Sequence, residues 1–134
     1  MKKFTCHAAT ATVGKDQGGV VEVVFAGPLT KSSFESLRAS AINEVGPHRV
    51  AVLRFDTALI VMNEVVPRRA DENRPGQAGA AIIVRRDQYD LAWRYAALTA
   101  NLGVTLCVFL NSPESVDLAW RWARRQVALV GSAR

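Results

Sequence analysis

The stretch from Gly79 to about Leu129 constrains this fold more than any other part of the chain. Gly79-Ala-Ala-Ile-Ile-Val84 is a short apolar run, and Asp87 to Leu102 has helical periodicity. Val104-Thr-Leu-Cys-Val-Phe-Leu110 is apolar again, and Pro113 to about Leu129 is helical once more. A short apolar run rich in β-branched residues suits a strand covered on both faces. Strands alternating with helices build a mainly parallel sheet whose crossovers are right-handed.

The first helix of this stretch places Leu91, Tyr95, Leu98 and Leu102 on one stripe, widened by Ala92, Trp93, Ala96 and Ala100. Asp87 is its expected cap, Asp90 and Arg94 take the supportive i,i+4 spacing on the wet face, and Gly103 stops it. Asn111-Ser112-Pro113-Glu114 is a strong start for the last helix, with a cap, a proline in the first turn and an acid near the positive end. In that helix Val116, Ala119, Trp120, Ala123 and Val127 share one face at about 100° per residue. Leu118 and Trp122 fall almost opposite, among Glu114, Asp117, Arg121 and Arg125. Either Trp122 lies under an arginine stem or packs on a neighbouring element, or the patch marks self-association, for which Leu118, Trp122 and Arg125 are the candidate surface and a homodimer the expected assembly.

Upstream, Phe4 to Val13 and Val20 to Phe25 read as two strands of a hairpin, turned by Gly14 to Gly19 and closed by Gly27-Pro28. Thr30 or Ser32 caps a helix carrying Phe34, Leu37, Ala41, Ile42 and Val45 on one face, ended by Gly46-Pro47. Arg49 to Asp56 is the next strand. Thr57 to Val66 stays apolar and fits either a continued strand or a short helix, and Pro67 to Gln77 is a polar loop. The expectation is α/β: a mostly parallel sheet with an N-terminal antiparallel hairpin, flanked by helices, in one domain over 1–134.

The 134 residues suffice for one core, and 49% hydrophobic with 22% charged residues is ordinary globular composition. No apolar run approaches the ~20 residues that cross a bilayer, and Thr5-Cys6-His7 falls where a signal peptide needs its apolar stretch. A cytoplasmic protein with two free thiols, Cys6 and Cys107, is expected. The net charge of +5 comes from scattered arginines rather than a patch, so neither nucleic acid nor a membrane is expected as partner.

The chain lacks the spacing of familiar catalytic sets. His7 and His48 have no acid or cysteine placed to complete a metal site. There is no Gly-x-Ser-x-Gly elbow and no P-loop, and Gly14 to Gly19 precedes a strand rather than a helix. The expectation is a non-enzymatic protein without cofactor or metal. Asp56 ends a strand at its carboxyl edge, where α/β sheets place functional groups, so Asp56, Thr57 and Leu59 are the candidate edge for a ligand or partner.

Several of these segments resemble the STAS family of anti-sigma-factor antagonists and sulphate-transporter domains. They are Phe25-Ala-Gly-Pro-Leu-Thr30 before the first helix, Val50-Ala-Val-Leu-Arg-Phe-Asp56, Ala80-Ala-Ile-Ile-Val84, and Leu102-Gly-Val-Thr-Leu-Cys-Val-Phe109 before the last helix. Val108-Phe109 with Ala119-Trp120-Arg-Trp122-Ala123 is similar to a stand-alone bacterial branch related to the CRAL-TRIO fold. The resemblance implies a binding or interaction domain with a protein partner. It also implies two alternatives, an anti-sigma-factor-antagonist-like regulator and a carrier of a small apolar ligand. Antagonists carry an Asp-Ser-Ser-Gly-like turn after the central strand, where a hydroxyl is phosphorylated. Here Asp56 is followed by Thr57-Ala58-Leu59, so Thr57 is the one phospho-switch candidate.

Overall fold

The computed structural model describes residues 1–46, 49–62, 79–100 and 105–132, with side chains described up to Leu129. The elements are β1 (Lys2–Cys6), β2 (Ala9–Gln17), β3 (Val20–Leu29), α1 (Lys31–Val45), β4 (Val50–Ile60), β5 (Ala80–Val84), a 3-10 turn (Arg86–Gln88), α2 (Tyr89–Ala100), β6 (Leu106–Leu110) and α3 (Pro113–Ser132). One six-stranded sheet runs β1-β2-β3-β4-β5-β6, antiparallel through β3 and parallel from β3 onward. The α/β expectation holds.

The expected hairpin is a three-strand meander. Phe4 to Val13 is not one strand, because His7 and Ala8 form a turn that folds β1 back on β2, with His7 at a φ of 55°. Gly14 to Gln17 belong to β2, and the turn narrows to Gly18 and Gly19. Both glycines have positive φ (65° and 88°), which a two-residue hairpin turn requires and side chains resist. Asp16 Oδ1 accepts from Gly19 N at 2.6 Å and fixes that turn. Gly27-Pro28 does not end β3, which runs on to Leu29. Gly27, at a φ of 80°, lies so close to the first turn that an added Cβ would stand 2.5 Å from Ala8 O.

Thr30, not Ser32, caps α1 in a reciprocal box: Ser33 N donates to Thr30 Oγ1 at 3.1 Å and Thr30 N to Ser33 Oγ at 2.9 Å. α1 buries Phe34, Leu37, Ala41 and Val45, as the periodicity requires. In α2 the buried line is Ala92, Ala96 and Thr99 rather than the larger residues, and Leu98 is exposed. Asp87 does not cap α2. Its carboxylate takes Arg85 Nε at 3.2 Å, while Gln88 Oε1 accepts Arg85 N at 2.9 Å. Leu102 and His48 lie outside the described residues.

The sheet has two covered faces. α1 lies over β1 to β3 and α2 over β5 and β6, with Val23, Phe25, Phe55, Ile82, Val84 and Val108 beneath them. α3 crosses the other face, over Val20, Val50, Val52, Ala81 and Ile83, with its own Ala119 and Ala123 fully buried. Cys6 on β1 and Cys107 on β6 sit in the two outermost strands, both free. Burial raises the Cys107 thiol above its usual value.

Candidate functional site

A bulge in β4 shapes the carboxyl edge of the parallel strands. Val24 pairs with Arg54 but Ala26 pairs with Thr57, so β4 carries one residue more than β3 there. An extra residue reverses the alternation of everything after it. Phe55 faces the α1–α2 side, and Ala58 and Ile60 follow it there, while Leu59 is 60% exposed and Val61 50%. The apolar run after Asp56 is therefore continued strand as far as Ile60. Residues 63–66 lie outside the described residues.

The bulge leaves backbone groups without a regular ladder, and side chains complete it. Thr57 Oγ1 donates to Phe25 O at 2.8 Å. Gln88 Nε2 donates to Phe55 O and to Ala58 O, each at 3.1 Å. Arg85 Nη1 donates to Asp56 O at 2.7 Å and to Ala58 O at 3.1 Å. Gln88 is 4% exposed, and burying an amide is sustained only by such full pairing.

On the α3 side of the sheet Arg54 gathers two acids. Its Nη2 reaches Asp56 Oδ2 at 3.0 Å, and its Nη1 lies 3.8 Å from Glu22. The hydrogen bond to Asp56 raises the guanidinium's pKa against the opposing effect of desolvation. Asp56, Thr57 and Leu59 are thus brought to one edge, but the carboxylate is engaged by Arg54 and the hydroxyl by the β3 backbone.

A second feature lies on the opposite face. Because α1 stands over β1 to β3 and α2 over β5 and β6, β4 runs beneath the space between them. Its aromatic floor stacks Phe25 on Phe55 at 4.6 Å between ring centroids, with Phe34 and Tyr95 edge-on at 5.9 Å from each other. Two adjoining clefts open there, of about 390 and 580 Å³ of empty space including the part open to solvent. Phe55, Ile60, Met62, Val84, Leu91 and Ala92 line the first; Val23, Ala41, Val45, Leu53 and Leu106 help line the second; Phe34 and Tyr95 line both. Arg38 is buried at the second cleft, its guanidinium 5.1 Å from the Phe34 ring centroid and donating to Tyr95 Oη at 3.4 Å.

Sequence reasoning missed Arg85, Gln88 and Arg38. Gln88 had no readable signal, since the capping box needs a hydroxyl or carboxylate three residues earlier and Arg85 stands there. Arg38 had none, because an arginine on an amphipathic helix reads as solvated.

The candidate self-association residues sit on α3. Leu118 is 51% exposed and Arg125 is exposed, whereas Trp122 is half-buried with its ring 6.4 Å from that of Phe109. Among the described residues no group of three or more His, Cys, Asp or Glu is placed to hold a metal, and no helix is long and apolar enough to cross a membrane.

No known family model matches the chain, and no curated protein matches it. A solved structure does. It is an uncharacterised protein of the DUF3478 family from Shewanella loihica PV-4, described as having a SpoIIAA-like fold. The similarity covers 89% of this chain and 99% of that one, at a TM-score of 0.50 and 13% identity. The fold is SpoIIAA-like, and thus STAS-like. Identity this low speaks for architecture alone, and the residues of the β4 edge and the cleft gain no assigned role from it.

Proposed function

We propose that this protein is a non-enzymatic STAS-like binding module that holds a small apolar ligand in the cleft between α1 and α2. The observation that carries the reading is the aromatic-floored space above β4. Ligand sites are mostly apolar hollows with a few polar groups that set orientation, and here Tyr95 Oη and the buried Arg38 are those groups.

The phospho-switch alternative has less behind it, because the Thr57 hydroxyl already donates to Phe25 O. Native mass spectrometry of freshly purified protein is expected to show a co-purified small molecule. Titration with anilinonaphthalene sulfonate, an anionic fluorophore whose aromatic rings report on apolar sites, is expected to saturate at one site. Leu91→Trp, which enlarges the α2 wall of the first cleft, should weaken that binding at least ~10-fold, about 1.4 kcal/mol. Absence of any saturable binding, or binding indifferent to Leu91→Trp, would overturn the reading.

A further inference from the structure

β6 ends the sheet with an edge its sequence does not protect. Among the described residues no strand lies beyond it. An edge strand presents unpaired backbone N–H and C=O groups, and edges are ordinarily blunted by charge, proline or a bulge. β1, at the other edge, follows that pattern, with Lys2 and Lys3 exposed and Lys2 3.6 Å from Glu44. β6 is Leu-Cys-Val-Phe-Leu, without charge or proline and in unbroken register with β5. Leu106, Cys107, Phe109 and Leu110 are only half-buried, although the pattern is that of a strand covered on both faces.

The two helices that pack on β6 add exposed apolar groups on both sides of this edge. In α2, Leu91 and Tyr95 line the cleft toward α1. At 100° per residue Tyr89 and Trp93 fall on the opposite flank, beyond β6. Their rings lie 6.2 Å apart and Trp93 is 41% exposed. In α3, Val127 lies against Gly19 near the start of β3, while Trp122 on the other flank meets Phe109 of β6. Leu118 shares the Trp122 flank. α1, at the guarded side of the sheet, exposes no large apolar side chain.

We propose that β6 pairs antiparallel with β6 of a second copy, joining two sheets across a two-fold axis. A register centred on Val108 sets Leu106 opposite the partner's Leu110 and Cys107 opposite the partner's Phe109, so that both faces of the seam are apolar and no like charges meet. Electrostatics and symmetry select this pairing. β1 against β1, centred on Phe4, would set Lys2 opposite the partner's Cys6 and Lys3 opposite the partner's Thr5, bringing four lysines into one seam, and β1 against β6 is head-to-tail and does not close. The strand edge with Tyr89, Trp93, Leu118 and Trp122 offers on the order of 400 Å² per copy, about half of a standard interface. The dimer is accordingly weak and concentration-dependent.

Sedimentation velocity on the full chain from about 1 to 200 µM tests this. The wild type is expected to pass from monomer to dimer across that range. Trp93→Lys and Leu118→Lys are each expected to raise the dissociation constant at least ~10-fold, with far-ultraviolet dichroism unchanged. Leu98→Lys, on the cleft-facing flank of α2, should leave it unaltered. Hydrogen exchange supplies a measurement free of substitutions: β6 amides should gain protection as concentration rises. A wild type that stays monomeric throughout overturns the proposal and leaves the edge to a strand of another protein. So does a dimer that survives both lysine substitutions, or that weakens equally with Leu98→Lys.

Discussion

Replacing Gln88 by leucine tests whether the carboxyl edge of β4 is held by a side-chain clamp. The exchange keeps roughly the same volume and removes three hydrogen bonds, at 3.1, 3.1 and 2.9 Å, from a side chain 4% exposed. Ala58 O retains Arg85 Nη1, but Phe55 O and Arg85 N lose the Gln88 amide. Each buried backbone group left unpaired costs about 1–3 kcal/mol. The added apolar surface of leucine returns about 1 kcal/mol. The net expectation is a loss of about 3 kcal/mol, equivalent to roughly 10 °C in Tm for a chain of this size.

Urea unfolding followed by circular dichroism measures it, with the midpoint shifting at constant m. Arg85→Met supplies a sharper check, since Arg85 and Gln88 both donate to Ala58 O. Either single change leaves that carbonyl one donor and the double change leaves it neither, so the double variant should cost about 1–2 kcal/mol more than the sum. A loss below about 1 kcal/mol for Gln88→Leu, or strict additivity with Arg85→Met, would refute the clamp.

Gly27→Ala should cost at least about 3 kcal/mol, because a positive-φ alanine is strained and its Cβ would meet Ala8 O at 2.5 Å; a urea midpoint near that of the wild type would contradict this. Arg49, just before β4, pairs with Asp16 near the end of β2, and that bond, with the Gly19 amide, holds the carboxyl below its ordinary value of 3.8. A depressed folded pKa means stability present above about pH 4 and lost as pH falls through the folded value. The pair is solvent-screened, so it is worth under about 1 kcal/mol, and the stability gap between wild type and Arg49→Met should shrink between pH 6 and about pH 2.5.

The ends of α1 and the start of α3 were legible because each is a local chemical event, whereas the expected Asp87 cap of α2 failed. Thr30 with Ser33, Gly46, and Ser112 before Pro113 all act within one turn of the chain. The alternation of strands and helices was legible because burial on two faces writes apolar runs into β4, β5 and β6. The bulge at Phe55 and Asp56 was not. A bulge is a relation between two strands, visible only when Val24 and Ala26 are counted against Arg54 and Thr57. The clamp inherits that opacity, since Gln88 and Arg85 serve carbonyls 27 to 33 residues away. The split at His7 and Ala8 was hidden for the opposite reason: Phe4 to Val13 is rich in small and β-branched residues, and neither turn residue is a glycine or proline.

The stripe of α2 shows where periodicity alone misleads. Leu91, Tyr95 and Leu98 are the large residues, yet Ala92, Ala96 and Thr99 touch the sheet. Small residues let the helix approach β5 and β6 closely, and the larger ones are displaced to its flanks. Leu91 and Tyr95 then form one wall of the cleft above β4, and Tyr89 and Trp93 overhang β6. A helix seated on alanines thus shapes both the proposed ligand cleft and the proposed β6 seam, one on each of its sides. The same reasoning separates them experimentally: enlarging Leu91 obstructs the cleft from its wall, whereas a charge at Trp93 reaches only the edge.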